Sequence, residues 1–223
     1  AYGVEVASAI EQVVVWNLKT QQQEILSAEQ CQFGYRDSLF KHSEGTDLLI
    51  TRVDFRLSKH FLPNIEYASL KQKLTGTDPR ALTAEALVGH IVQLRSERLP
   101  DPSVVANAGS FFKNPVVDAD QYAEIRSHHP KLPGWFMDAD RQQNDASNKD
   151  ASYKISAAWM IDQLGFKGRC VGGICVYENH ALVLINQGQG TARHLLSLIS
   201  EIRQAVQKEF GVRLETEPQL IKA

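Results

Sequence analysis

Three short segments combine residue types that chemistry can use. Asn107-Ala108-Gly109-Ser110-Phe111-Phe112-Lys113-Asn114-Pro115 joins a flexible Ala-Gly pair, a hydroxyl, two aromatics and a Lys-Asn-Pro run. Ser110 does not stand in the Gly-x-Ser-x-Gly elbow of a hydrolase nucleophile, and the segment also reads as a plain strand after a turn. Phe33-Gly34-Tyr35-Arg36-Asp37-Ser38 sets a tyrosine and an arginine beside a glycine in a loop, where functional groups concentrate; alone, it also reads as a structural Arg–Asp pair. Glu217, between Thr216 and Pro218, reads by itself as a solvated carboxylate. Gly188-Gln189-Gly190 starts like a dinucleotide-binding turn, but Arg193 occupies the third glycine position and no second strand–helix unit follows. A tight turn with Thr191 capping the next helix is the simpler reading. No GxxxxGK[ST] run exists. The adjacent His128-His129 pair comes without an HExxH or clustered Cys/His spacing, so no metal site is expected.

The elements that must position these groups alternate between strands and helices. Val13 to Trp16 and Glu24 to Leu26 read as an antiparallel hairpin broken at Leu18-Lys19-Thr20-Gln21. Asp47 to Leu57 alternates at period two, with Leu49, Thr51, Val53, Phe55 and Leu57 on one face. Thr83 predicts the cap of a helix with Leu87, Ile91 and Leu94 on one stripe. Leu99-Pro100-Asp101-Pro102 then reads as a stiff, extended domain junction. Asp118 predicts a cap for a helix to Arg126, and Ile155, Ala158 and Trp159 mark another helix, stopped by Gly165. Strands are expected at Ile174 to Tyr177 and Ala181 to Asn186, a long helix from Thr191 to Glu209 stopped by Gly211, and a last strand at Val212 to Thr216. The polar stretch from Asp138 to Ser152 reads as a mobile surface loop. The fold class is α+β.

Composition limits the function classes. The 223 residues correspond to about one and a half domains at roughly 150 residues each. Hydrophobic residues at 43% and charged residues at 22% are those of a globular chain able to bury a core. Lys plus Arg (24) nearly balance Asp plus Glu (26), and no basic run marks a nucleic-acid or membrane partner. No apolar stretch approaches the roughly 20 residues of a membrane span. Three cysteines without a CxxC argue against a disulfide framework and fit a reducing compartment. The opening Ala1-Tyr2-Gly3-Val4-Glu5 carries neither an initiator Met nor a signal peptide, so the expectation is a larger protein lacking its beginning.

Taken in order, Ala1-Tyr2-Gly3-Val4-Glu5, Gly34-Tyr35-Arg36-Asp37-Ser38, Leu99-Pro100-Asp101-Pro102, the Asn107–Pro115 run and Leu214-Glu215-Thr216-Glu217 closely resemble the UDP-N-acetylenolpyruvoylglucosamine reductase (UDP-N-acetylmuramate dehydrogenase) family of bacterial peptidoglycan precursor synthesis. The resemblance covers essentially the whole chain, and the AGSFFKNP run is its most specific part. The Ile65–Leu70 loop with Tyr67 is similar to the subgroup whose substrate is covered by a tyrosine-bearing flap. It implies the C-terminal part of a three-domain FAD-binding, vanillyl-alcohol-oxidase-like flavoenzyme with a separate α+β substrate domain. On that pattern residues 1–99 are the latter part of the second FAD-binding domain. Residues 100–211 are the substrate domain, and residues 212–223 return to a first FAD domain that is missing.

The family resemblance implies a chemistry in which NADPH reduces FAD, and hydride then reaches the vinyl carbon of UDP-N-acetylglucosamine enolpyruvate. The negative charge left on the neighbouring carbon and its carboxylate calls for preorganised donors and an acid on the correct face. Arg36 matches the residue that stabilises this charge, as a guanidinium pairs bidentately with a carboxylate. Glu217 matches its acidic partner and Ser110 the proton donor. Tyr67, Arg98, Asn114 and Lys154 match the nucleotide and diphosphate contacts, with Trp135 and His180 as further substrate contacts. Ala1, Tyr2, Gly3 and Arg95 match FAD contacts. The expected cofactors are FAD and NADPH, and the expected setting is a monomer in the bacterial cytoplasm serving cell-wall biogenesis, cell shape and division. The alternative is a truncated fragment that binds the UDP-sugar without redox activity.

Overall fold

The computed structural model describes residues 2–137 and 151–220. Ala1 and most of the expected Asp138–Ser152 loop lie outside the described residues. The chain divides into two compact units, Ala1–Leu94 and Arg95–Ala223.

The first unit is built on an antiparallel sheet of β1 (Ile10–Asn17), β2 (Gln22–Ser27) and β3 (Leu48–Phe55), in the order β2-β1-β3. The expected hairpin is therefore present. β3 departs from simple alternation. Val14 faces Arg52 while Val15 faces Ile50, leaving Thr51 as an extra residue whose Oγ1 donates to the Val14 carbonyl at 3.1 Å. A bulge reverses which side each later residue faces. Leu48 and Val53, of opposite parity, thus pack together against the small core of Val13, Val15 and Cys31. Leu49, Phe55 and Leu57, expected to share one face with Val53, are exposed whereas Val53 packs inward.

Helix α1 (Ala68–Lys73) and helix α2 (Ala84–Arg98) form a second small cluster through Leu70, Leu74, Leu82 and Leu94, with Leu87 and Ile91 packed against it. The Thr83 hydroxyl accepts from Ala86 N–H at 3.2 Å, as its capping role predicts. The division between the units falls inside α2. Beyond it, Asp101 folds the junction into a turn rather than an extended segment. Its carboxylate accepts from the Ser103 amide and hydroxyl, which hold its pKa below the usual range.

Among its described residues the second unit contains, besides the end of α2, two sheets and three helices. In chain order these are β4 (Ala106–Ser110), β5 (Val116–Asp118), α3 (Ala119–His128), β6 (Gly134–Phe136), β7 (Ser152–Ile155), α4 (Ala157–Gln163), β8 (Cys170–Val171), β9 (Ile174–Val176), β10 (Val183–Asn186) and α5 (Ala192–Phe210). One sheet has the order β4-β10-β9-β8 and the other β5-β7-β6. A continuous core joins Phe112, Ile155, Met160, Leu198, Ile202 and Leu214. Asp118 and Ser156 cap α3 and α4, accepting from Gln121 N–H at 2.7 Å and Trp159 N–H at 3.1 Å. α5 is amphipathic, with Leu198, Ile199, Ile202 and Val206 buried. Thr191 and His194 form its capping box, and Gly211 ends it in the left-handed region. The expected last strand reduces to a single bridge between Thr216 and Phe112, although Val212 and Leu214 are buried in this core.

The cysteine expectation needs correction. Cys170 and Cys175 are disulfide-bonded, and Cys31 is free and buried. Gly172 and Gly173, at φ +54° and +90°, make the two-residue turn between β8 and β9. Such a turn sets the residues two before and two after it directly opposite each other. The signal was present as Cys-Val-Gly-Gly-Ile-Cys, but spacing alone, without the turn, does not reveal it.

Candidate functional site

Ser110 ends β4 after a built irregularity. Val183 faces Ser110 and Ile185 faces Asn107, so Ala108 and Gly109 together oppose Leu184 alone. Gly109 takes φ +70°, which a glycine adopts without the steric cost of a side chain. Asn107 fixes this bulge from both sides, accepting from Gly109 N–H at 3.0 Å and donating to the Val105 carbonyl at 2.8 Å. A bulge re-aims the following side chain. Phe111 and Phe112 then anchor the strand, being 3% and 1% exposed with rings 5.5 Å apart edge to face.

The C-terminal segment lies along this anchor. Lys113 N–H donates to the Glu215 carbonyl at 2.9 Å, and Glu217 N–H donates to the Phe111 carbonyl at 2.8 Å. Arg203 of α5 holds the segment by donating to the Leu214 carbonyl at 2.9 Å. Glu217 is thereby joined to the residue next to Ser110, although 107 positions separate the two in sequence. On the other side, Phe111 N–H donates to the Leu182 carbonyl at 2.7 Å.

That contact brings in His180, which lies in the turn between β9 and β10. Its Nδ1 accepts from Leu182 N–H at 3.2 Å, so the neutral ring carries its hydrogen on Nε2. Burial holds its pKa below the usual histidine value, and the charges of Arg98 and Lys167 act in the same direction. Arg98, exposed in the last turn of α2, thus lies within electrostatic reach of His180.

Asn114, Lys154 and Trp135 form a neighbouring group. Asn114 Oδ1 accepts from Ala157 N–H, the first residue of α4, at 3.0 Å. Lys154 faces Val116 on β5 and Trp135 on β6, and its ammonium lies 5.8 Å from the Trp135 ring centroid. Trp135 remains 48% exposed, leaving aromatic surface for a ligand. The buried Phe pair links this group to the Ser110–Glu217 group along one continuous segment.

The remaining predicted residues occupy the first unit, apart from Arg95, which is exposed on α2. Arg36 sits at φ +55° in a tight turn closed by hydrogen bonds between Gly34 and Asp37, and its carbonyl accepts from Lys41 Nζ at 2.7 Å. Asp37 is the next residue of this turn. Its carboxylate accepts from Ser38 N–H and pairs with His42, which together hold its pKa low. Tyr67 precedes α1, and its ring meets that of Tyr2 edge to face at 5.1 Å. Tyr2 and Gly3 are consecutive left-handed residues, with the Gly3 carbonyl accepting from Asn64 at 3.2 Å.

Sequence reading missed Asn107, Lys167 and Arg203 as supporting residues. Asn107-x-Gly109 carried a usable signal, because an asparagine side chain readily bonds the amide two positions on. The same device recurs at Asn186, whose Oδ1 accepts from Gly188 and Gly190. The glycines that start like a dinucleotide motif thus belong to a tight turn. A cleft lined by Gln121, Glu124, His128, His129, Glu209 and Phe210 contains none of the predicted residues. Among the described residues no group of three or more His, Cys, Asp or Glu is arranged to hold a metal, and no helix is long and apolar enough to cross a membrane.

Residues 101–221 match the family described as UDP-N-acetylenolpyruvoylglucosamine reductase, C-terminal domain. A protein of that name from Pseudoalteromonas atlantica is 42% identical over 223 residues, covering all of this chain and 60% of the relative. Those from Ralstonia nicotianae and Bordetella pertussis are each 39% identical, over 99% and 100% of the chain and 61% and 60% of their own lengths. The crystal structure of UDP-N-acetylenolpyruvylglucosamine reductase from Thermus caldophilus aligns with a TM-score of 0.54 at 22% identity, over 96% of this chain and 53% of that one. That likeness concerns the fold. The chain spans about three fifths of the length of the curated relatives it matches.

Proposed function

Because the chain belongs to the UDP-N-acetylenolpyruvoylglucosamine reductase family, we propose that it forms the substrate-binding and proton-donating part of a reductase that converts UDP-N-acetylglucosamine enolpyruvate to UDP-N-acetylmuramate. NADPH is the reductant and FAD the mediator in this reading, and the setting is a monomer in the bacterial cytoplasm. The domain reading is retained: 1–99 flavin-contacting, 100–211 substrate-binding, and 212–223 leading toward a further FAD domain.

One observation carries the proposal. The Glu217 backbone bonds to the carbonyl of Phe111, immediately after Ser110, and a glycine bulge aims Ser110 just before it. This contact supports the reading by bringing near each other two residues, far apart in sequence, that the family resemblance singles out. In the proposed reaction the Ser110 hydroxyl donates a proton to the substrate carbon that becomes carbanionic, and Arg36 balances the charge on the adjoining carboxylate. Glu217 supports this charge balance as Arg36's acidic partner. Lys154 and Asn114 serve the diphosphate together with Arg98. Trp135 and Tyr67 offer aromatic surface, and His180 offers its Nε2–H as a neutral donor.

The described residues fit part of a flavin contact. In the left-handed Tyr2-Gly3 turn Gly3 is exposed and Tyr2 half-buried, and Arg95 supplies a guanidinium. A Cβ added at Gly3 would meet only the Asn64 amide, at 3.6 Å, so the glycine serves backbone conformation rather than close packing. The chemistry that bound FAD supplies is hydride transfer from NADPH to the enolpyruvyl double bond.

The test is made in the protein extended to the length of its relatives. Flavin absorbance is expected to bleach with NADPH and to recover with the enolpyruvyl substrate. Ser110→Ala is expected to keep the first step and lose most of the second, whereas equal loss of both would make Ser110 structural. That the chain spans about three fifths of its relatives' length favours a second reading for these 223 residues alone, binding of the UDP-sugar without redox activity. Calorimetric titration of this chain with the substrate tests it, and no heat of binding would exclude it.

A further inference from the structure

The Cys170–Cys175 pair stands outside all the chemistry above. It joins β8 to β9 at the edge of the sheet whose opposite edge is β4, the strand of Ser110. The two sulfurs are unequal. Cys170 is exposed, whereas Cys175 is 2% exposed. The closed loop is short, with a sequence separation of five, so the bond removes less unfolded-chain freedom than one closing a long loop. Its partners are held together by the rest of the fold. The Gly172-Gly173 turn sets the register, the Gly173 carbonyl accepts from Gln187 N–H at 2.9 Å, and the His194 ring fills the space beside Gly172. The reduced cysteines would therefore remain opposed and ready to close again.

From these features we propose that Cys170 and Cys175 form a reversible thiol–disulfide exchange site that takes a low-molecular-weight thiol–disulfide couple. The inference rests on the second unit alone and not on the reductase reading. In the reducing direction, an external thiolate attacks the exposed Cys170 sulfur, the Cys170–Cys175 bond breaks, and the Cys175 thiolate leaves and takes a proton. A second external thiolate then attacks the external sulfur of the mixed disulfide, releasing Cys170 as a thiolate that is protonated. Two external thiols become one disulfide, and the two electrons and two protons pass to the protein dithiol. The oxidising direction is the reverse, with Cys175 resolving a mixed disulfide on Cys170. Access explains the order of attack, since exchange rates depend on which sulfur can be reached.

The position gives the exchange a structural consequence. Cys175 faces Ile185, and Ile185 faces Asn107. A single row thus crosses the sheet from the disulfide to the residue that fixes the Ser110 bulge. Reduction removes the covalent tie at the β8 edge, so that β8 opens more often from a register that the turn still sets.

The experiment incubates the folded chain with glutathione and glutathione disulfide in varied ratio, alkylates it without denaturant, and reads peptide masses. The expected result is that alkylated Cys170 gives way to the Cys170–Cys175 linked peptide as the disulfide fraction rises and returns when the ratio is reversed. Cys31, buried with its thiol pushed up by burial, stays unmodified throughout. Cys170→Ser is expected to remove native reactivity toward glutathione disulfide at Cys175. Cys175→Ser is expected to accumulate glutathione on Cys170. Because Cys175 is a core position, the Cys170→Ser result stands if that second variant does not fold. Hydrogen exchange at residues 170–176 is expected to rise about tenfold on reduction. A bond that resists native thiol, a pair that never closes, or unchanged exchange at those residues would overturn the proposal.

Discussion

The two units spend their apolar residues differently. In Arg95–Ala223 they converge on one core that holds Phe112, Ile155, Leu198, Ile202 and Leu214 at no more than 1% exposure. In Ala1–Leu94 they divide between two small clusters, and Trp16, Ile25, Leu49, Val88 and Val92 remain exposed. The second unit places a left-handed glycine, Gly109, just before Ser110 and ties the following Phe111 to Leu182 and to Glu217. The first carries Arg36 and Tyr67 on turns held by local bonds. Among the described residues, the non-glycine positions at positive φ all lie in the first unit, where local bonds must meet their cost, and the second unit puts only glycines there.

The strongest challenge to this contrast is core truncation in each unit. Phe112→Ala is expected to cost about 3–5 kcal/mol and Leu70→Ala about 2–3 kcal/mol, the latter lying in the smaller cluster. Urea unfolding resolved by hydrogen exchange in each unit measures both, and a larger loss at Leu70 would reverse the comparison.

Backbone substitutions sharpen it with opposite signs. Gly109→Ala is expected to destabilise the second unit by about 1–2 kcal/mol, because the position is left-handed. An added Cβ there meets nothing within 4 Å, so the cost is purely conformational. Arg36→Gly, at φ +55°, is expected to stabilise the first unit by about 0.5–1 kcal/mol, read as a rise in its unfolding midpoint. Its contribution to substrate turnover would be lost at the same time.

Asn114→Ala removes the acceptor of Ala157 N–H and is expected to cost about 1 kcal/mol, measured by denaturation and by increased exchange at the start of α4.

His180 gives the second unit a pH dependence. Its folded pKa is lowered, so the unfolded chain takes up the proton first as pH falls. Stability is complete above the ordinary histidine value of about 6.5 and declines as pH falls through it toward the lower folded value. His180→Gln is expected to flatten that part of the stability profile, and an unchanged slope would remove His180 as its source. At the smallest end, Trp16→Ser on the exposed sheet face is expected to change stability by no more than about 0.5 kcal/mol.

Much of the local structure was legible. Thr83, Asp118 and Thr191 precede their helices in sequence as they do in space, since a cap is a bond between near neighbours. Gly211 and the stripe on α5 are equally local. The face of β3 was misread because period two assumes an unbroken ladder, and the bulge at Thr51 depends on its pairing with β1. The disulfide was missed because cysteine counting ignores the geometry of the Gly-Gly turn.

The sequence by itself determined the family resemblance, the residue types available for chemistry, and the helices with their caps, because each is written in identity or short-range spacing. Tertiary structure decided which distant groups meet. Glu217 reaches the neighbourhood of Ser110 because Val212 and Leu214 bury in the core and Arg203 holds the intervening carbonyl. Its neighbours Thr216 and Pro218 contain no trace of that contact. Burial of Val212 and Leu214 and long-range backbone hydrogen bonding, rather than local preference, bring the exposed Glu217 beside the Ser110 segment.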